Sequence, residues 1–417
     1  DATASSTPLT INGTFTPGTS TVVYKATSTA STVTGGTYYN LSFDDQGNSN
    51  TFTLGSQLNA SGTITNTSGT LTTGGNNLIL DGNWVNSGTF LNGGNTVTFA
   101  SSTADQTITS GGSPFNNLTI NNTGSAGNDD ITLSDALDVD GVLTITDGDL
   151  NQGTNQINIG GNFTIGNAGS FTSGGGLTTF DGTSTYTDNS GAQNLGEFTV
   201  SSTTAAVTLT LGSSATSSGI VLATGETLNL GTSGYTLNLT DATASSTPLT
   251  LNGTFTPGTG TVIYKATSTA TNVASTTYNN VSLTDLGGNV TFTIPGGTVN
   301  NTFTASGTVL TTGVFNALGV FSNTTAYLAQ TTGYIATSST LTLDANSYSA
   351  GDTLTITLTD ANANISATST DSISVTVSIS TDSETVTLTE TTATSSSFTG
   401  TLPTVDSTSI TASNGTL

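Results

Sequence analysis

The first thirty residues of this 417-residue chain occur twice. Asp1–Ala30, DATASSTPLTINGTFTPGTSTVVYKATSTA, returns at Asp241–Ala270 with three substitutions: Ile11/Leu251, Ser20/Gly260 and Val23/Ile263. So close a return after 240 residues marks a recent duplication and commits the chain to a repeat architecture. A shorter period lies inside the long one. The pattern G-[TS]-F-x-x-G-x-x-[TL]-[VT]-x-[FY] starts at Gly13, Gly88, Gly169 and Gly253, with spacings of 75, 81 and 84 residues. Each copy is followed by an aromatic or apolar stretch: YYNLSF, FNNLTI, GEFTV or YNNVSL. The modules divide as 1–87, 88–168, 169–252 and 253–335, and a different texture occupies 336–417.

Each module reads as short strands in which apolar residues alternate with Thr or Asn, as in Asn117–Ile120, Leu143–Ile145, Ile157–Ile159 and Val207–Leu211. Clusters such as GGN, DGN and TDGD punctuate them. The intervals are too short for crossover helices, and no segment sustains a 3.6-residue period. Two all-β architectures fit: a parallel β-solenoid of about 20–25 residues per coil, or antiparallel sandwiches. Irregular coil length and Asn-rich corners favour the solenoid, with Leu, Val, Ile and Phe stacked inward and Thr and Asn laddered outward.

The modules resemble the strand-rich repeats of very large bacterial surface proteins, through Gly88-Thr89-Phe90, Thr96–Phe99, Phe115–Ile120 and Val139–Ile145. The resemblance covers about residues 1–330 and implies an extracellular, adhesin-like or filament-forming role.

Beyond about Thr331 the alternation becomes strict, in Thr340–Leu343, Leu354–Leu358, Ile373–Ile379, Val386–Leu388 and Phe398–Leu402. Ile373, Val375, Val377 and Ile379 are expected on one face and Ser372, Ser374, Thr376 and Ser378 on the other. The run from Tyr348 through Gly351-Asp352 to Asp360-Ala-Asn362-Ala-Asn364 is similar to immunoglobulin-like domains of bacterial and archaeal surface proteins. So is Val386–Thr391 followed by Phe398–Leu402. The resemblance implies an Ig-like β-sandwich over about 338–417. Such domains usually continue past an Asn-Gly-Thr-Leu segment, here Asn414–Leu417, into another strand. Either a parent protein was cut, or the sandwich lacks a strand that another subunit supplies. The candidate donor is Asp1–Ile11, where Leu9 and Ile11 alternate.

Composition narrows the chemistry. The chain has two lysines (Lys25 and Lys265), 26 acidic residues, no His, Cys or Met, and a formal charge of −24. A basic footprint for nucleic acid is ruled out. The usual Cys and His ligands of zinc and haem are missing, as is the His base of a catalytic triad. No apolar run reaches the length of a membrane span.

Carboxylates are therefore the chemistry to weigh. The spacing Asp360, Asn362, Asn364, with Asp352 and Glu390, offers oxygen ligands to calcium. Asp138, Asp140, Asp147 and Asp149 on turns form a second calcium candidate, set against plain Asx turns. Read as glycosidase carboxylates, these pairs and Asp129-Asp130 lack an aromatic platform, since Trp84 is the only tryptophan. Trp84 itself aligns with Phe163 and is expected in the core.

The expectation is a non-enzymatic, extracellular cell-surface protein: the subunit of a filament or layer that assembles with itself by strand pairing. A rod-like adhesin binding glycans is the alternative, and a polysaccharide-acting enzyme the third reading.

Overall fold

The computed structural model describes residues 7–27, 30–47, 49–191, 193–240, 247–267, 270–288, 290–323, 327–330, 334–337, 339–360, 363, 369–379, 382–405 and 416. The chain is all-β, with a β-solenoid of about 14 turns. It forms two compact units, Asp1–Asn238 with Leu249–Gly258, and Leu239–Pro248 with Thr259–Leu417.

In the first unit the described strands form three sheets, of 17, four and six strands. Successive coils pair in parallel, and residues one coil apart stack. One column runs Leu118, Leu143, Phe163, Tyr186, Leu211, each in register with the next. All five are buried. Parallel registration is what places like on like: each strand is only a few residues long, so an inward residue finds its counterpart directly above and below. A side chain of this kind contributes roughly 1.5–3 kcal/mol by burial. Trp84 sits in the column Ile64, Trp84, Ile108 and is 1% exposed. Its ring meets Phe90 edge-on at 4.9 Å and Phe115 at 5.8 Å. It is a core residue, as the alignment with Phe163 suggested.

The corners explain the glycines and asparagines. Gly174 has φ +54°, and a Cβ there would lie 2.6 Å from the Gly153 carbonyl oxygen of the coil before. A side chain is excluded both by conformation and by the preceding coil's backbone. Some corner asparagines point inward. Asn66 Nδ2 donates to Asn86 Oδ1 at 2.8 Å, and Asn86 Nδ2 donates to the Ser110 carbonyl at 2.8 Å. This buried amide ladder satisfies backbone groups that a turn would otherwise leave unpaired.

In the second unit, coils continue through the parallel strands Thr261–Ala266, Thr277–Asp285 and Gly297–Ala305. There follows a five-stranded antiparallel sheet of Thr340–Leu343, Thr353–Thr359, Ser372–Ile379, Asp382–Glu390 and Ser397–Pro403. Its spatial order is first, second, fifth, fourth, third. Leu354, Ile356, Leu358, Val386, Leu388, Phe398 and Leu402 form its core, with Ile373, Val375 and Val377 packed against it. The alternation expected for Ser372–Ile379 therefore holds, except that Ile379 is 47% exposed. Ile379 is the last residue of its strand and pairs with Asp382.

Candidate functional site

The duplicated sequence occupies two different environments. In the second copy, Leu249–Leu251 is a strand paired in parallel with Ile220–Leu222, and Thr254–Thr256 pairs with Thr227–Asn229. Leu249 is 1% exposed. In the first copy neither Leu9–Ile11 nor Thr14–Thr16 is a strand. Leu9 is only half-buried; Ile11 and Phe15 are half-buried in the same way as their twins Leu251 and Phe255. The following strand shows the same contrast: Thr21–Ala26 reads exposed or half-buried where Thr261–Ala266 reads half-buried or buried at most positions. Val23 is 45% exposed, and Val262, the twin of half-buried Val22, is 1% exposed. Pro8, Leu9 and residues 22–25 line a cavity of about 340 Å³. The Leu9 carbonyl accepts a hydrogen bond from Thr34 Oγ1. Leu9 and Ile11 thus lie at a surface where, among the described residues, no strand pairs with them.

Below that surface the two copies agree closely. Tyr24 and Tyr38 share a hydroxyl–hydroxyl hydrogen bond at 3.2 Å, and Tyr264 and Tyr278 share one at 2.9 Å. Tyr38 donates to the Thr34 carbonyl at 2.7 Å, and Tyr278 donates to the Ala274 carbonyl at 2.6 Å. Burial pushes the Tyr38 and Tyr278 hydroxyls well above the ordinary phenol value. The pair locks a corner; it is too deep to act on a ligand.

The carboxylates fall into three arrangements. At loop starts they close turns. Asp188 Oδ1 accepts from the Ser190 and Gly191 amides at 2.9 and 3.1 Å, and Oδ2 from the Gln193 amide at 2.9 Å. Burial opposes ionisation of Asp188, but the Ser190 hydroxyl, which also donates to Oδ1, and these amides outweigh it and hold its carboxyl below the usual range. Asp45 and Asp285 do the same for their own loops, each accepting from a glycine amide two residues on.

The second arrangement is a groove. Outward residues Asp138, Asn158, Thr179 and Thr199 align across neighbouring strands. An open groove of about 710 Å³ runs beside them, lined among others by Asp140, Gln156, Asn158, Thr179, Asp181 and Thr199. Burial, then the neighbouring charges of Asp140 and Asp181, push Asp138 up to about 6. Asn92 Nδ2 donates to Asp140 Oδ2 at 3.2 Å. Asp130 stands in register with Asp149, and burial with the charges of Asp149, Asp105 and Asp129 raises its carboxyl. Asp147 accepts from the Gly148 amide at 2.9 Å. Among the described residues, no group of three or more carboxylates is placed to hold a metal ion.

The third arrangement is the antiparallel sheet. Asp352 accepts from the Ser349 amide at 2.6 Å, beside the pair Thr353–Pro403. Glu390 is paired with Phe398, at the other end of the same strand. Five strand residues separate Pro403 from Phe398, about 17 Å. Asp352 and Glu390 therefore stand at opposite ends of the sheet. Asp360 lies at the Glu390 end, where its amide donates to the Ser396 carbonyl at 2.8 Å. Asn362 and Asn364 lie outside the described residues. Glu390 Oε2 accepts from the Asp371 amide at 3.0 Å. The alternation on Asp382–Glu390 had not suggested that Asp382, Glu384 and Glu390 are all buried, on the face that carries Val386 and Leu388. The signal was present: all are an even number of residues from Val386.

Lys25 Nζ lies 3.5 Å from Asp44 Oδ2, with its side chain 58% exposed. This is a solvated surface pair of the kind worth little. No protein-family model, curated protein or solved structure matches this chain.

Proposed function

We propose that this protein is a structural subunit of an extracellular filament or cell-surface layer, and that its subunits join by β-strand pairing. The observation that carries this reading is the duplicated segment. In its second copy the segment forms the strand Leu249–Leu251 against Ile220–Leu222, while among the described residues no strand pairs with residues 9–11 of the first copy, so this strand depends on the neighbour it meets. The composition supports the outward chemistry: Thr is close to a quarter of the chain, and charged residues are 7%. Neutral Thr and Asn ladders pack beside other copies without the desolvation cost of charge. The carboxy-terminal antiparallel sheet we read as part of an Ig-like sandwich, the module that joins one subunit to the next.

Negative-stain electron microscopy and sedimentation of the native protein test the proposal. Regular polymers are expected. A protein that stays monomeric at every concentration overturns it.

The groove at Asp140 and Asp181 favours a second reading, an adhesin that binds glycans through a polar ladder. Binding of monomers to a glycan array, abolished by Asn158→Ala with Thr179→Ala, is its expected signature. An array without binding removes it.

A further inference from the structure

Ten strands of the first unit, from Leu58–Ala60 to Thr254–Thr256, pair in one unbroken parallel ladder. The two long strands join it through Leu143–Ile145 and Phe163–Ile165. One outward column on this face runs Thr98, Thr119, Thr144, Thr164, Thr187, each in register with the next. The column beside it holds Thr96, Asn117, Val142, Asn162 and Thr185 at the same rungs. All these side chains are half-buried or exposed. No outward residue of these stretches is charged, from Asn59 to Thr256. Asp81, Asp140 and Asp181 lie in the turns that bound the face, and Asp147 lies beyond the irregularity that follows Ile145. The neighbouring faces differ. A second ladder sets Lys25 opposite Asp44 and Asp130 opposite Asp149, and a third carries Asp138 and Glu197 outward.

The rungs of this face are held rigidly. Asn77 Oδ1 accepts from the Thr96 amide at 3.0 Å, Asn117 Oδ1 from the Val142 amide at 2.9 Å and Asn162 Oδ1 from the Thr185 amide at 2.9 Å. Every second rung thus staples the next, and its acceptor is satisfied within the subunit. Threonine is stiff at χ1, so little side-chain freedom is left to lose on contact. Stacked side-chain ladders also oppose the twist that would splay two packed sheets. Flat sheets with short, uncharged side chains pair face to face, about 10 Å apart. Nine intervals of about 4.8 Å make this face about 43 Å long. At about 15 Å wide it offers roughly 1,300 Å² over two partners, above the ~1,000 Å² that a specific interface needs. We propose that two copies of this chain pack together through this face, sheet on sheet, with the threonine column at the centre of the contact. Charge favours a second copy here. The chain carries −24, so approach through the ladders of Asp44, Asp130 or Asp138 sets carboxylates against carboxylates, whereas this face has no charge to desolvate. The same surface on both partners makes the pair two-fold and closed. The contact lies alongside the strand-pairing joint of the filament and does not depend on it.

Thr119→Glu with Thr164→Glu puts carboxylates on two outward rungs. Sedimentation velocity of the native protein is expected to show side-by-side pairs. The glutamate variant is expected to keep its circular dichroism and to need about tenfold more protein, or more, to form them. The chain has no cysteine, so a thiol placed on one rung reports its distance from the same rung of the partner. Among single Cys substitutions of Thr98, Thr119, Thr144, Thr164 and Thr187, disulfide-linked dimers are expected fastest at the rung nearest the two-fold axis and slower on either side. Thr65→Cys, on another ladder, is the control. Equally slow dimers at all six positions, or a glutamate variant that pairs as the native protein does, overturn the proposal. Polymers whose width and mass per length are unchanged in the glutamate variant refute this face and leave the filament standing. Pairs without polymers refute the filament and leave this face standing. A native protein that is monomeric at every concentration removes both.

Discussion

Asp188 and Asp138 are carboxylates with opposite roles. Asp188 follows Thr187 at the end of the strand Ser184–Asp188 and gathers three backbone amides. Removing it strands those donors, for which no other acceptor stands among the described residues. Asp188→Ala is expected to cost about 1–3 kcal/mol, read as a lower midpoint in urea unfolding. Its depressed carboxyl contributes stability that is present above the unfolded-state value and is lost as pH falls below it.

Asp138 has the reverse sign. Its carboxyl rises from 3.8 in the unfolded chain to about 6 in the fold, so between those pH values the folded state binds more protons. Stability then falls as pH rises through that window, and the whole penalty is present above it. Asp138→Asn is expected to stabilise the protein above pH 6 by about 1 kcal/mol, after allowing for solvent screening at a half-buried site, and to change little below pH 4. Thermal unfolding of both proteins across pH 3–8 checks it, and a constant difference at all pH values would refute the assignment. The two roles are not written in the aspartates themselves. They follow from which strands lie beside the carboxylate.

At the scale of the strand, the duplication is an internal experiment. Thirty residues with three substitutions give strands in one setting and none over the corresponding residues 9–11 and 14–16 in the other. A strand of three residues has too few backbone bonds to hold itself; it exists because a neighbour supplies them. The tyrosine corner, by contrast, is local and recurs in both copies. Tyr278→Phe removes the donor to the Ala274 carbonyl and the partner of Tyr264. It is expected to cost about 1–2 kcal/mol in thermal unfolding, and Tyr38→Phe should cost a similar amount. Four of the five strands of the carboxy-terminal sheet were legible to within a residue, because strict alternation marks them, while Asp382–Glu390 begins four residues before the expected Val386. The buried carboxylates on Asp382–Glu390 were less so, since a Ser/Thr-rich strand shows its apolar phase only at Val386 and Leu388. The grouping of Asp352 with Glu390 was a matter of spacing along the chain. Pairing to opposite ends of Ser397–Pro403 sets them about 17 Å apart.

For the whole molecule, charge and repetition act together. A formal charge of −24 with two lysines makes subunits repel at long range. If they assemble through apolar strand edges, added salt screens that repulsion and leaves the contact intact. Raising sodium chloride from 20 to 200 mM, about a threefold shorter screening length, is therefore expected to promote polymers, as light scattering would show. Dissociation by salt would point to ionic joints and against strand addition. Low charge density over the ladders suits dense packing, and the near-absence of Lys and Arg leaves two sites for trypsin-like cleavage.

The sequence alone determined the class of structure as all-β and repeating, and favoured over antiparallel sandwiches the solenoid that the fold has, with inward Leu, Val, Ile and Phe following from alternation and period. It did so because inward and outward positions are fixed by the two-residue pleat, and coil length by the recurrence of Gly and Asn. It also located the change of texture near residue 331 and placed Trp84 in the core. The tertiary structure decided what depends on neighbours one coil or one strand away. It determined which carboxylates close turns and which crowd together in a groove. It also decided that Leu249 is buried while Leu9 is not, and that Leu341 and Leu343 are exposed opposite the core residues Leu358 and Ile356. Those outcomes turn on contacts between residues far apart in the chain, and the duplicated thirty residues show that identical local sequence leaves them open.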